Sequence, residues 1–301
     1  MLTHLSQIVD MARSGGRRRL AVACAADAHT VEAVYNAWRE GIVDATLFGD
    51  KELISDICRK MSIDPGIFNI VDEKNDLECV AKAVALVAGN GADVLMKGLV
   101  STDKYMRGIL NKDAGLFPPK GTLSHVSVID LPGREGLLCI ADVAVIPLPD
   151  FKQKTILIKY LAAISHSLGV DVPKIACIAP SEQVLPSVIS SSEACILTKM
   201  ADRGQLGRVV VDGPLSLDVA LYPEVAVEKK VTGSAVAGYA DCLLFPNIES
   251  GNVFFKSASH FGGAEIAAIV VGTNRPCVLT SRGDTPATKL YSIALACLQC
   301  K

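Results

Sequence analysis

Two rhythms of apolar residues alternate along the chain. Short continuous runs at 20–25, 43–48, 67–71 and 94–96 alternate with stretches whose apolar residues recur every three or four positions. Runs apolar on both faces predict strands buried in a parallel sheet, and the spaced stretches predict the helices that cover it. Leu2, Leu5, Ile8 and Val9 share one face of a first helix that ends near Gly15-Gly16. Further helices are expected over 27–41, 51–61 and 77–88, the last closed by Gly89. The strand Val94-Leu95-Met96 runs into Lys97-Gly98, and Ser101 or Thr102 caps the next helix, which carries Arg107. Ligands of open α/β sheets collect at such carboxyl strand ends, which makes Lys97 and Ser101 candidate binding residues.

The rhythm changes after the loop Pro118-Pro119-Lys120-Gly121. Residues 122–129, which include Ser124 and His125, alternate like a half-buried strand. A turn at 132–136 and a second apolar run at 137–146 complete an antiparallel pair. We take this change as a domain crossing near residues 126–130. Alternation resumes with a helix over 152–168, a strand over 175–179, a helix over 193–201 and a strand over 209–211. Asp212-Gly213-Pro214 then reads as a turn, its carboxylate either serving a site or capping the turn. Another strand ends at Phe245-Pro246-Asn247, and Ser250-Gly251-Asn252 opens a helix with Lys256 one turn beyond Asn252. Gly251 there suggests a close backbone approach. The apolar run 266–272, a strand over 276–279 and a helix over 286–298 finish the chain, with Leu290, Ile293, Ala294 and Cys297 on one helical face. The class expected is α/β with mostly parallel sheets, and 301 residues suggest two domains.

Composition narrows the function. Half the residues are apolar, enough for a core in each domain, and a formal net charge of −2 argues against a nucleic-acid or anionic-membrane partner. The ten cysteines sit singly, mostly in apolar runs, and read as small buried hydrophobes. Cys297 and Cys300 form a C-x-x-C with no second pair or histidine nearby, a weak metal or redox signal. No His/Cys/carboxylate cluster has metal-ligand spacing, and there is no P-loop, no G-x-S-x-G and no fixed-period repeat. Gly89-Asn90-Gly91 follows a helix and precedes a strand, the wrong polarity for a dinucleotide fingerprint. With no signal peptide and no apolar run of membrane length, the expected location is the cytoplasm.

The chemistry concentrates in Thr280-Ser281-Arg282-Gly283-Asp284-Thr285-Pro286. A strand ends, a Ser-Arg-Gly bend follows, and a helix opens with Thr285 as N-cap and Pro286 at its first position. Such a bend aims free N–H groups and a positive helix end at its contents, and Arg282 adds a fork suited to phosphate. The other reading is an ordinary strand–turn–helix in which Ser281 and Asp284 cap the backbone and Arg282 is solvated.

Four ordered motifs carry a resemblance: Asp212-Gly213-Pro214-Leu215-Ser216-Leu217-Asp218-Val219-Ala220, Ser234-Ala235-Val236-Ala237-Gly238-Tyr239-Ala240-Asp241, Phe245-Pro246-Asn247-Ile248-Glu249-Ser250-Gly251-Asn252, and Ser281-Arg282-Gly283. Together they resemble the phosphate acetyltransferase/phosphate butyryltransferase family over most of the chain. Met96-Lys97-Gly98-Leu99-Val100-Ser101-Thr102 and Lys289-Leu290-Tyr291-Ser292-Ile293-Ala294-Leu295-Ala296 look like its butyryl branch. The resemblance implies reversible acyl transfer, acyl-CoA plus phosphate giving acyl phosphate plus coenzyme A, with no metal and no other cofactor. It also implies a homodimer or larger assembly and an isocitrate/isopropylmalate dehydrogenase-like architecture, two α/β domains facing across a cleft. Residues 1–126 and 274–301 would form the first domain, and 127–273 a second inserted in it.

By the same resemblance, Ser281 would donate to the reacting acyl or leaving-group oxygen and Arg282 would hold phosphate. Arg107 would help bind coenzyme A or its phosphates, Ser124 would line the phosphate pocket beside His125, and Asn252 and Lys256 would face the substrates from the second domain. His125 also reads as a satisfied structural histidine, and Arg107 as a surface arginine. One departure matters. The acetyl branch has an aspartate seven residues after the serine, proposed as the thiol's base, and here that position is Thr288. Asp284 is then either a substitute base or a turn cap, or a water or the substrate phosphate takes the proton. Acetyl-CoA as substrate, a non-catalytic acyl-CoA-sensing module, and a dehydrogenase of the same architecture are the competing readings. The last would need cleft metal ligands and a nicotinamide site, of which the sequence has no sign.

Overall fold

The computed structural model describes residues 1–281 and 283–300. It divides into two compact units: a terminal unit of Leu5–Gly121 with the chain from Ile266 onward, and a middle unit of Met1–His4 with Thr122–Glu265.

The terminal unit begins with helix α1 (Leu5–Ser14) and strand β1 (Arg18–Ala23). Helix α2 (Ala28–Arg39), β2 (Val43–Gly49), α3 (Lys51–Lys60), β3 (Asn69–Asp72), α4 (Asp76–Ala88), β4 (Val94–Lys97) and α5 (Thr102–Leu110) follow. The strict alternation predicted from the apolar runs is present. Its helices start where a side-chain oxygen accepts a first-turn N–H: Asp27 for α2, Asp50 for α3, Asn75 for α4 and Ser101 for α5. Strands β3, β2, β1 and β4 pair in parallel in that order. The first helix starts later than expected. Met1–His4 joins the middle unit, where Leu2 N–H donates to Leu168 O at 2.8 Å, so Leu2 lies off the α1 face. No periodicity reveals this, because a three-residue extension of the pattern costs nothing locally.

The middle unit contains β5 (Ser124–Asp130), β6 (Leu138–Ala141), α6 (Phe151–Ser167), β7 (Lys174–Ile178), α7 (Ile189–Asp202) and β8 (Val210–Leu215). Helices α8 (Leu217–Leu221) and α9 (Pro223–Glu228), strand β9 (Cys242–Leu244) and helix α10 (Ile248–His260) complete it. Its strand order is β5-β6-β9-β7-β8, antiparallel between β5 and β6 as expected and parallel elsewhere. Three expectations are corrected. Strand β6 ends at Ala141, because the next residue, Asp142, turns its carboxylate inward to collect hydrogen bonds. Asp212-Gly213-Pro214 lies inside β8, where the ladder to β7 shifts register, and is not a turn after it. Gly213 fits there because a Cβ would press on the Cys177 carbonyl oxygen and the Ala194 methyl. Helix α7 starts at Ile189 rather than near Glu193, with no side-chain cap to announce it.

The chain returns to the terminal unit with β10 (Glu265–Val271), β11 (Cys277–Val278) and helix α11 (Pro286–Leu298). Strand β11 runs parallel to β4 and antiparallel to β10. Helix α11 packs on α1 and α2. Its Ile293, Ala294 and Cys297 are buried as the apolar face requires. Among the described residues no helix is long and apolar enough to cross a membrane.

Candidate active site

In the terminal unit the polar candidates gather at the carboxyl ends of β4 and β11. Tyr105 of α5 pins these strands from behind: its buried hydroxyl donates to Val278 O at 3.0 Å, and desolvation raises its pKa well above the usual phenol value. Gly98 lies against the Ala23 and Cys24 carbonyls, where a Cβ would overlap them, so only glycine lets β4 turn this tightly. Lys97 is buried, its Nζ 3.3 Å from Gly98 O and 3.4 Å from Thr280 O. The bend after β11 is closed by Asp284, whose carboxylate accepts the Ser281 N–H at 2.6 Å. Asp284 N–H donates back to Ser281 O at 3.3 Å. Thr285 caps α11 by accepting Thr288 N–H at 3.1 Å, and Pro286 occupies the first helical turn, as the sequence predicts. Ser281 is exposed. Arg282 lies outside the described residues.

Asp284 therefore sits in the geometry of a turn cap. Ser101 is likewise engaged as the α5 N-cap, accepting Lys104 N–H at 3.3 Å. Arg107 points to the surface, 75% exposed and paired with Asp103 at 3.1 Å one turn earlier. Lys97, Ser101, Arg107, Ser281 and Asp284 thus share one unit, with Lys97 and Ser281 at adjoining strand ends.

In the middle unit the organising group is one that sequence reading missed. Asp142, 2% exposed, accepts four hydrogen bonds. Its Oδ2 takes the Ser124 hydroxyl at 2.7 Å and His125 N–H at 3.2 Å, and its Oδ1 takes Ala144 N–H at 2.7 Å and Val145 N–H at 2.8 Å. Ser124 and His125 are brought together by this carboxylate. The Ser124 hydroxyl proton is committed to it, and the His125 ring contacts Ser127 Oγ at 3.4 Å. Helix α10 docks on the same segment. A Cβ on Gly251 would overlap the Asp142 carbonyl oxygen, which is the close approach expected of that glycine. Asn252 donates to Val143 O at 2.9 Å, and Asn247 caps the helix on Ser250 N–H. Lys256 is exposed, its ammonium over the Phe255 ring. The signal for Asp142 was a lone carboxylate inside the apolar run 137–146.

The remaining candidates resolve into structure. Asp218 accepts from Ser216 Oγ, Lys229 Nζ and Val219 N–H. The Ser216 hydroxyl and then Lys229 hold its carboxyl down to about 2. Burial drives the Cys297 thiol up and pushes Cys300 up to about 11, so the C-x-x-C holds two poor nucleophiles. Two residues for which no individual role was expected stand beside Ser281: Thr280 and Lys289, both buried. Lys289 lies one helical turn before Ile293 and two before Cys297, a lysine on the apolar stripe, and that was its signal.

These motifs can be set against known proteins. The family model described as "Phosphate acetyl/butaryl transferase" matches residues 73–297. The chain is 43% identical over 298 residues to a phosphate butyryltransferase of Clostridium acetobutylicum, covering 99% of this chain and 98% of the relative. It is 38% identical over 292 residues to a phosphate acetyltransferase of Thermotoga maritima, covering 97% and 98%. A crystal structure of a branched-chain phosphotransacylase from Enterococcus faecalis superposes with a TM-score of 0.84 at 27% identity, covering 94% of this chain and 100% of that one. Similarity of this extent, along nearly the whole chain, leads to one conclusion: the chain belongs to the phosphate acetyl/butaryl transferase family.

Proposed function

We propose that this protein catalyses reversible acyl transfer between coenzyme A and phosphate, butyryl-CoA plus phosphate giving butyryl phosphate plus coenzyme A, within a ternary complex. The observation that supports this most directly is the bend after β11. It presents an exposed Ser281 beside an ordered Asp284–Thr285 cap and an α11 N-terminus, in a chain of this family. A phosphate oxygen attacks the thioester carbonyl carbon, a tetrahedral oxyanion forms, the C–S bond breaks, and the thiolate leaves with the electron pair to be protonated. In the reverse direction the thiolate attacks the acyl phosphate and phosphate leaves. Ser281 donates to the acyl or leaving-group oxygen, and Arg282 balances the phosphate charge, the two demands that dominate such a transition state.

Other residues act around this pair. Asp284 holds the bend by accepting Ser281 N–H, so the thiol's proton passes to a water or to the substrate phosphate. Lys97 fixes the Thr280 carbonyl behind the bend, and Ser101 fixes the start of α5. Arg107, on the open face of α5, reaches for coenzyme A phosphates. Ser124 and His125 act through Asp142, and Asn252 through Val143, as positioning residues that keep the β6 end rigid, with Lys256 at the periphery. The terminal and middle units correspond in this reading to the two α/β domains of an isocitrate/isopropylmalate dehydrogenase-like architecture, and the protein assembles as a homodimer or larger.

The test is release of free thiol from acyl-CoA on addition of phosphate, compared across acetyl-, propionyl-, butyryl- and isobutyryl-CoA. Butyryl-CoA should turn over fastest. One methylene is worth only about 1–3 kcal/mol in an apolar slot, so neighbours will react too. Acetyl-CoA as best substrate would favour a second reading, for which the similarity to a phosphate acetyltransferase speaks. No release with any thioester would leave an acyl-CoA-sensing module. Arg282→Ala should cut turnover by about 10²–10³. A folded variant that keeps its rate removes Arg282 from the mechanism.

A further inference from the structure

Within the middle unit, a cavity of about 460 Å³ lies at the strand ends opposite Asp142. Lys174 opens β7 and Asp241 immediately precedes β9, so the cavity sits at the amino ends of these parallel strands. Asp142 instead follows the carboxyl end of β6, which runs parallel to β9. The volume falls in the range of about 300–1,000 Å³ that encloses a small organic ligand. Arg134, Glu135, Lys174, Tyr222, Tyr239 and Asp241 supply its charged and aromatic lining. Their backbones are firmly held. A Cβ on Gly238 would collide with the Pro223 backbone, and Gly238 N–H donates to Val219 O at 2.7 Å. Both fasten the loop bearing Tyr239 to helices α8 and α9, where Tyr222 stands. Asp241 N–H donates to Lys174 O at 2.8 Å, and its Oδ2 accepts Lys174 N–H at 2.9 Å. Arg134, on the turn between β5 and β6, donates from Nη2 to Ala240 O at 2.7 Å.

The side chains on this rigid corner are not all satisfied. Arg134 Nε–H is buried and has no acceptor among the described residues, and such orphans are few in native structures. Burial pulls the Arg134 guanidinium below its usual range and pushes the Asp241 carboxyl above its own, so the surroundings stabilise neither charge fully. The Lys174 ammonium stands 5.2 Å from the centroid of the Tyr239 ring. Tyr222 and Tyr239 are 52% and 58% exposed, two large rings left more than half uncovered. Because two carboxylates share the lining, a bare anion would be repelled as well as attracted. The set suits a ligand of three parts: an anionic end for Arg134 and Lys174, hydroxyl donors for Asp241 and Glu135, and a flat ring to stack on tyrosine. A nucleotide carries all three in its phosphate, ribose and base.

We propose that this cavity binds a free mononucleotide, its phosphate on Arg134 and Lys174, its ribose hydroxyls on Asp241 and its base against Tyr222 and Tyr239. The site belongs wholly to the middle unit, whereas Ser281 belongs to the terminal one. Its occupancy does not depend on the acyl-transfer reading above, and it gives the motif at 234–241 a use besides holding strand ends together.

The experiment is calorimetric titration of the full chain with AMP and with GMP, and with adenosine and ribose 5-phosphate as truncated controls. At least one nucleotide should bind, and each control, lacking one end, should bind about tenfold or more weakly. Tyr239→Ala alters an exposed ring, so it should fold like the wild type and weaken nucleotide binding by about tenfold. Arg134→Gln should weaken the nucleotide and leave adenosine unchanged. If Arg134→Gln does not fold, Lys174→Met and Tyr239→Ala decide by the same readouts. No binding of either nucleotide, or wild-type affinity in Tyr239→Ala, overturns the proposal. So does binding of phenylalanine in place of both nucleotides. Coenzyme A also carries a nucleotide end, and its affinity should be equal in the wild type and Tyr239→Ala. A parallel loss of coenzyme A affinity would assign the cavity to that end and overturn the free-nucleotide site. None of these readouts uses turnover, so failure here leaves the acyl-transfer reading standing, and absence of thiol release leaves the nucleotide site standing.

Discussion

The two units each gather polar residues at a strand end, and they treat them in opposite ways. Around Asp142 every donor finds an acceptor: one buried carboxylate takes four hydrogen bonds, and Asn252 closes the loop from α10. Around Ser281 the polar groups are left wanting. Among the described residues the Thr280 hydroxyl has no partner, and Ser281 is exposed. A satisfied network is rigid and spends its hydrogen-bonding capacity on the fold. An unsatisfied one costs stability and keeps that capacity for a ligand. The strand end at Asp142 is thus a fixed frame, whereas the one at Ser281 keeps an unmet hydroxyl.

Breaking the frame should have the largest effect on folding. Asp142→Ala leaves two loop N–H groups, His125 N–H and the Ser124 hydroxyl buried without an acceptor, at about 1–3 kcal/mol each. The variant should lose most of its stability in urea unfolding. A midpoint near the wild type would erase the contrast between the two regions. Gly251→Ala comes next, at about 1–3 kcal/mol from overpacking against the Asp142 carbonyl, read by the same method.

Asp284→Asn tests the receptive side. As a turn cap it should cost less than about 1 kcal/mol, because the Asn amide oxygen can still accept the Ser281 N–H, and leave the shape of the pH–rate profile intact. A fall in rate of about 10²-fold with loss of the acidic limb would make it the base instead.

The smallest effect is expected at Asp218, whose carboxylate is held by Ser216 and Lys229. Its folded pKa of about 2 lies below the unfolded value of about 3.9. The stabilisation is therefore present above about pH 4 and is lost as pH falls through about 2. The side chain is half exposed, so solvent screening keeps the contribution within about 1 kcal/mol. Asp218→Asn should flatten the acid limb of stability by no more than that, measured by urea unfolding across this window.

Some of the site could be read directly from the chain. Thr285 and Pro286 announce the start of α11, Gly251 announces a close approach, and the change at 122–146 announces an antiparallel pair. Each rests on sterics or capping within a few residues. Asp142 and Lys289 did leave marks, a carboxylate inside an apolar run and a lysine on an apolar stripe. Neither mark told whether the charge was partnered. The turn expected at Asp212-Gly213-Pro214 failed for a related reason, since a neighbouring strand accommodates the glycine and the shifted register.

The alternating βα rhythm, the caps and the family all follow from residues near one another in the chain, because burial periodicity and backbone hydrogen bonding act over a turn or a strand. The satisfaction of a polar group follows from folding alone. Ser124 meets Asp142 across 18 residues, and Lys97 meets Thr280 across 183, so only the packed molecule separates the carboxylate whose capacity is spent from the Thr280 hydroxyl whose capacity remains among the described residues. Desolvation makes that difference decisive, since a buried polar atom must find its partner in the protein or in a ligand.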